Sequence, residues 1–275
     1  MASNLLKTGH DVVIWNRTKA ACKPLMALGA QAMTTPREAA SHADLVISMV
    51  TDDAALRAVW LGSDVGAVWG LKPDALAIES STVSPEWIHR LAAAVVARGA
   101  RFLDGPVAGS LPQAEARQLL VLAGGNEADF ETAKPVLEAM AGGAKLVGTL
   151  GQGTALKLAL NALLGIQIAA MAEALNYLDQ SGISVADAIG ILASTPLVSP
   201  AAIGAAKLIA AEDFAPRFPI NLVAKDFRYA VASARSIGVG LPMTEAAGSL
   251  FEQAVDKGFG GQNINAVARL FHKAG

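Results

Sequence analysis

The chain has 275 residues, enough for one large domain or two of ordinary size. Its 22 basic and 24 acidic residues leave a formal charge of −2, a balance that argues against nucleic acid or a membrane surface as partner. The one cysteine, Cys22, excludes an internal disulfide framework and fits a reducing cytoplasm, while the 53% hydrophobic content predicts large buried helix surfaces, a subunit interface among them.

In chain order, residues 12–15 read as a strand and 19–28 as a helix closed by Gly29. A short strand follows at 31–33, then a helix beginning at Pro36. Residues 45–50 form a continuous apolar run of the kind a parallel strand shows when both its faces are buried. Residues 53–60 are helical and 75–79 are the next strand, followed by a helix that opens at Pro85 and ends at Gly99. Strands at 101–103 and 118–123, a helix at 127–140 and a short strand at 145–147 complete the first half. This alternation predicts a doubly wound, mostly parallel sheet with helices on both faces, over residues 1–148. From Thr154 onward the periodicity is helical, with Gly182 ending a long helix and Ser184 capping the next, so residues 149–275 read as an all-α domain.

In such sheets ligands bind outside the carboxyl ends of the strands. Those ends carry Asn16, Arg17 and Thr18; Thr51, Asp52 and Asp53; Ser80, Ser81 and Thr82; and Asp104, Gly105 and Pro106. Small polar residues also end strands for purely structural reasons, so the pattern alone does not establish a site. The first turn is more specific. A site for NAD places a carboxylate there to bind the ribose hydroxyls, and this chain has Asn16 and Arg17 instead. A guanidinium suits a 2′-phosphate, so the residues favour NADP over NAD.

A second feature is Gly151-Gln152-Gly153-Thr154, which opens the long helix. Lys157 and Asn161 follow, four residues apart and so on one helix face, in an otherwise apolar run. A buried lysine needs a partner or a task. These polar positions also make 156–178 a poor membrane span, better read as a helix buried between domains or subunits.

Four motifs together resemble the β-hydroxyacid dehydrogenases, the family of 3-hydroxyisobutyrate dehydrogenase and the glyoxylate/succinic semialdehyde reductases. Asp104-Gly105-Pro106-Val107-Ala108-Gly109-Ser110 is similar to the family's substrate loop. Gly151, Gly153, Lys157 and Asn161 match its catalytic spacing. Ser81-Thr82-Val83-Ser84-Pro85 resembles its cofactor-side loop, and Lys225-Asp226 its C-terminal pair. The resemblance implies a Rossmann-like dinucleotide-binding domain followed by a helical domain of the 6-phosphogluconate dehydrogenase type. It implies Lys157 as general acid/base, Asn161 holding Lys157 or substrate, and backbone donors around Ala108, Gly109 and Ser110 on a substrate carboxylate. It also places Val50, Thr51, Thr82 and Lys225 at the cofactor, and predicts a homodimer or homotetramer acting on a small hydroxy acid or aldehyde acid.

The chain departs from the family pattern in three places. The substrate loop reads Ala108-Gly109-Ser110 where members often have Ser-Gly-Gly, and Asn263 stands where many carry aspartate. The chain also opens on Met1-Ala2-Ser3-Asn4-Leu5, which resembles the interior of the family's first helix. On that resemblance about 15–20 residues are expected to be missing, one strand and a Gly-rich turn. The strands flanking that position would then lack ladder partners, and the chain as written should bind dinucleotide weakly and be unstable. Two other readings compete: an imine reductase, against which Lys157 argues, and a non-catalytic dinucleotide-binding or scaffold protein, against which the Lys157/Asn161 pair argues. The four histidines, His10, His42, His89 and His272, show no metal-ligand spacing.

Overall fold

A computed structural model describes residues 1–271, so of the four histidines His272 lies outside them. The chain divides into two compact units, Met1–Lys157 and Leu158–Gly275.

The first unit opens with α1 (Ala2–Lys7), β1 (Val13–Ile14) and α2 (Lys23–Met26). Asn4 is buried in α1 and donates to the carbonyls of Ala114 (3.0 Å) and Met140 (2.9 Å), which pins this helix to the domain. The single helix expected at 19–28 is instead a 3-10 turn, Lys19–Cys22, followed by the short α2. Pro24 sits in the first turn of α2, the position where its missing N–H costs least. Next come β2 (Gln31–Ala32), α3 (Pro36–Ser41), β3 (Leu45–Ser48), α4 (Asp53–Leu61), β4 (Leu76–Glu79), α5 (Pro85–Val96) and β5 (Arg101–Asp104). Then β6 (Val107–Ala108), α6 (Leu111–Glu115), β7 (Leu119–Gly124), α7 (Glu127–Ala141) and β8 (Gly142–Gly148) complete the unit. Thr35, Asp52, Ser84 and Asn126 cap α3, α4, α5 and α7 through their side chains.

The strands form two sheets rather than the one expected. β1 and β2 pair with each other, in parallel; the larger sheet runs β3-β4-β5-β7-β6, with β8 on β7. The larger sheet is mixed, because β7 runs antiparallel to both β5 and β6. Among the described residues no strand pairs with the outer edge of β3 or of β1. This corrects the expectation that 45–50 is buried on both faces. β4, laddered on both sides, is buried at every position, whereas three of the four β3 residues stay half-exposed. Leu56, Trp60, Ala77, Ile88, Leu91 and Phe102 fill the core on one face of the sheet, and Leu76, Ile78, Leu103, Val121 and Leu137 that on the other.

α8 (Gln152–Gln180) crosses the boundary, since the first unit ends at Lys157. By length and composition it could cross a membrane, with a mean hydropathy of 1.7, yet half of that window is buried within the fold. The second unit continues with α9 (Val185–Ala193), α10 (Pro200–Ala210), α11 (Ile220–Ser236) and α12 (Pro242–Ala254), then a 3-10 segment, Ile264–Leu270. Ser184 caps α9 as expected, accepting from the Asp187 N–H and donating to its carboxylate. The core packs Ile168, Leu175, Ala206, Val223, Phe227 and Phe251 together.

Candidate functional site

The carboxyl ends of three adjacent parallel strands bring Ser48, Glu79 and Asp104 into one row, because Ser48 is the register partner of Glu79 and Glu79 that of Asp104. Glu79 has no exposed surface. Its Oε2 accepts from Ser48 Oγ (2.6 Å) and Trp60 Nε1 (2.7 Å), and its Oε1 from the Ser81 N–H (2.9 Å). Burial pushes the Glu79 carboxyl above its usual range, opposed by hydrogen bonds from Ser48, Ser81 and Trp60. The Ser81 hydroxyl bonds Glu79 and also accepts from the Val50 N–H at 2.6 Å. The loop after β3 is thus tied to the loop after β4 through one serine. Asp53 makes a second tie, accepting from the Ser84 N–H at 2.9 Å. Between these ties the buried Ser80 Oγ has no hydrogen-bond partner among the described residues.

Asp104 closes the amino end of α8. Its Oδ1 accepts from the Gly151 N–H, and its Oδ2 from the Thr154 N–H, each at 2.7 Å; Thr154 Oγ1 adds a donor at 2.9 Å. The G-x-G spacing has its cause here. Gly151 adopts φ +86°, and a Cβ on Gly153 would run into the Leu122 carbonyl oxygen at 2.1 Å and stand 2.9 Å from Asp104 Oδ2. The glycines therefore let the start of α8 sit against β7 and an internal carboxylate, which occupies the helix terminus in place of an external anion. Burial raises the Asp104 carboxyl, and the Gly151 and Thr154 donors pull it back. Two turns of α8 then present Lys157 and Asn161, 8% and 7% exposed, on one face.

In the second unit Asn161 Nδ2 donates to Asp226 Oδ2 at 2.6 Å. Lys225 Nζ lies 3.1 Å from Asp226 Oδ1 and 5.1 Å from the centre of the Tyr229 ring. Asn161, Lys225 and Asp226 thus form one buried polar cluster, with both of Asp226's oxygens engaged. Phe227 and Arg228 line a cavity of about 300 Å³ in the second unit, with Val231, Arg235, Thr244 and Glu252, although most of the Phe227 ring is buried. That ring is core, 5.4 Å from Phe251, and packs against Gly248, where a Cβ would come within 3.2 Å of it. Arg228 pairs with Glu252 at the surface, and Phe214 is half-buried beneath Arg269. Asn263, from which the sequence offered little, is buried; its Oδ1 accepts from the backbone N–H groups of Arg217 (3.2 Å) and Phe218 (2.9 Å) and so fixes that loop.

The other sequence candidates lie in the first unit. Asn16, Arg17 and Thr18 are exposed after β1, with Asn16 Oδ1 accepting from the Thr18 N–H at 2.8 Å. Val50, Thr51 and Thr82 sit on the two tied loops. Ala108 belongs to β6, Gly109 takes φ +123°, and Ser110 starts α6 with its N–H and hydroxyl both donated to Gln113 Oε1 (3.0 and 2.7 Å). Sequence reasoning missed Glu79 as a site-forming residue, and it placed Asp104 at a ligand-facing strand end without giving it a role. Their signal is an acidic residue ending an apolar, doubly laddered strand. Among the described residues no cluster of three or more His, Cys, Asp or Glu could hold a metal.

Two family profiles together match residues 1–271: the NAD binding domain of 6-phosphogluconate dehydrogenase over 1–151, and the NAD-binding region of NADP-dependent 3-hydroxyisobutyrate dehydrogenase over 151–271. The chain is 31% identical over 280 residues to mitochondrial 3-hydroxyisobutyrate dehydrogenase of Drosophila melanogaster, covering 99% of this chain and 86% of that one. It is 32% identical over 267 residues to glyoxylate/succinic semialdehyde reductase 1 of Arabidopsis thaliana, covering 97% and 92%. Among solved structures, Mycobacterium tuberculosis 3-hydroxyisobutyrate dehydrogenase with L-serine aligns at a TM-score of 0.89 and 28% identity, over 98% of this chain and 94% of that one.

Proposed function

The chain belongs to the β-hydroxyacid dehydrogenases, NAD(P)-dependent oxidoreductases of hydroxy acids, and on that premise we propose that it interconverts a small 3- or 4-hydroxy acid and its aldehyde or keto acid using NADP(H), with Lys157 as general acid/base. The observation that carries the reading is the burial of Lys157 and Asn161 on one face of α8. Burying an ammonium is costly, and a proton-transfer task at a substrate oxygen accounts for its presence.

The residues present fit a nicotinamide dinucleotide. The carboxyl ends of β3 and β4 carry the unpartnered, buried Ser80 hydroxyl beside Val50, Thr51 and Thr82, and the end of β1 carries exposed Arg17 with no acidic neighbour in the turn. Arg17, with Asn16 and Thr18, would hold the 2′-phosphate, which supports NADP over NAD. When bound, the dinucleotide supplies the hydride chemistry. Lys157 takes the hydroxyl proton in oxidation and returns it to the carbonyl oxygen in reduction, so one positioned group serves both directions. Asp226 fixes the Asn161 amide, and Asn161 orients Lys157 or the substrate oxygen. Backbone donors around Ala108, Gly109 and Ser110 hold the substrate carboxylate, and Lys225 is assigned to cofactor binding on the family resemblance. The half-exposed Leu160 and Leu163 on α8 support assembly into a homodimer or homotetramer, and the single buried Cys22 suits the cytoplasm.

The test is Lys157→Ala. We expect kcat to fall about 10²–10⁴-fold with dinucleotide affinity preserved. Turnover within a few-fold of the parent would sink the assignment.

A further inference from the structure

Glu79 and Asp104 are a second matter, because neither takes part in the proton transfer and both are wholly buried. As register partners on adjacent parallel strands they point to the same face of the sheet, with backbones about 4.8 Å apart. Two like charges so placed are costly unless something compensates them. Among the described residues neither forms an ion pair. The donors to Glu79 are Ser48, Trp60 and Ser81, and those to Asp104 are Gly151 and Thr154, all neutral. Donors converge on both oxygens of each carboxyl; they oppose without reversing the rise that burial imposes, and none of them cancels the charge of the ionised form. The row therefore projects a negative field toward the carboxyl ends of β3 and β4. That end also holds the orphaned Ser80 hydroxyl, and it is where Ser81 links Glu79 to the Val50 backbone.

We infer that Glu79, seconded by Asp104, is a specificity-determining residue for the redox state of the dinucleotide: its buried charge favours the oxidised form, whose nicotinamide ring is cationic, over the neutral reduced form. The inference rests on the nicotinamide reading above, with the ring at the Val50/Thr51/Thr82 loops. Neither carboxylate touches substrate; both act through the field. A purely structural role would weaken both forms alike, whereas a field effect changes their ratio. That ratio is also insensitive to any loss of affinity shared by the two forms.

The experiment is calorimetric titration of oxidised and reduced NADP into the full chain and into Glu79→Gln, which keeps the shape and removes the charge. The ratio of dissociation constants, oxidised over reduced, should rise on the order of tenfold in Glu79→Gln, the scale of one unit charge acting through an effective dielectric constant of about 20. A ratio unchanged within twofold overturns the inference while leaving the nicotinamide reading intact. Binding of neither form by the unsubstituted chain overturns that reading, and the inference with it. Should Glu79→Gln fail to fold, the unsubstituted chain still decides the matter. An analogue carrying neutral benzamide in place of nicotinamide should bind about tenfold more weakly than oxidised NADP. Equal binding would overturn the proposal.

Discussion

The two units bury carboxylates in opposite ways. In the first, Glu79 and Asp104 are held by hydroxyl, indole and backbone donors, without a cation. In the second, Asp226 is held by the Lys225 ammonium and the Asn161 amide. The difference teaches what each arrangement does with charge. Neutral donors stabilise an ion yet leave its field in place, whereas an ion pair cancels the field and leaves geometry. The first suits influence over a distance; the second suits holding a neighbouring side chain at a fixed angle.

The contrast would break most visibly at Asp226. Asp226→Ala leaves Lys225 buried without its carboxylate, and we expect a loss of about 3–5 kcal/mol in urea unfolding. A loss below 1 kcal/mol would mean that Lys225 finds water as easily as it found Asp226. Trp60→Phe should cost less, about 2 kcal/mol, because it removes one donor of several and keeps most of the buried ring. If it matched Asp226→Ala, neutral donors and ion pairs would be equivalent here. The smallest effect is in pH dependence. Burial raises the Glu79 carboxyl in the fold, so the folded chain holds that proton more tightly than the unfolded one. This contribution to stability is complete below the unfolded value and is lost as pH rises through the folded value. In Glu79→Gln the unfolding free energy should therefore fall less steeply across that window than in the parent. Identical slopes would show that ionising Glu79 costs the fold nothing.

Much of this was legible in the residues. Alternating apolar runs, bounded by Gly29, Pro36, Pro85 and Gly99, marked most elements of the first unit, since such boundaries act locally. Lys157 and Asn161 were legible because a polar pair at helical spacing stands out in an apolar run. Glu79 was not. An acid at a strand end looks like a turn residue, and its partners Trp60 and Ser48 lie 19 and 31 positions away. The two-residue strand β6 hides in a Gly/Pro-rich loop for the same reason, its ladder being supplied by β7. The burial of the Phe227 ring was not legible either, because only the fold shows that Gly248 leaves room for it. The divided sheet also depends on pairing, which periodicity cannot report.

Among the described residues the outer edge of β3 is unpaired, and this has a practical side. Leu45-Val46-Ile47-Ser48 offers a row of backbone donors and acceptors flanked by half-exposed aliphatic side chains, with no proline, lysine or bulge to blunt it. Such an edge recruits any extended apolar segment it meets, including the same four residues of another molecule. Concentrated stocks of this chain should thus shed material by strand-to-strand growth before they lose it to unfolding.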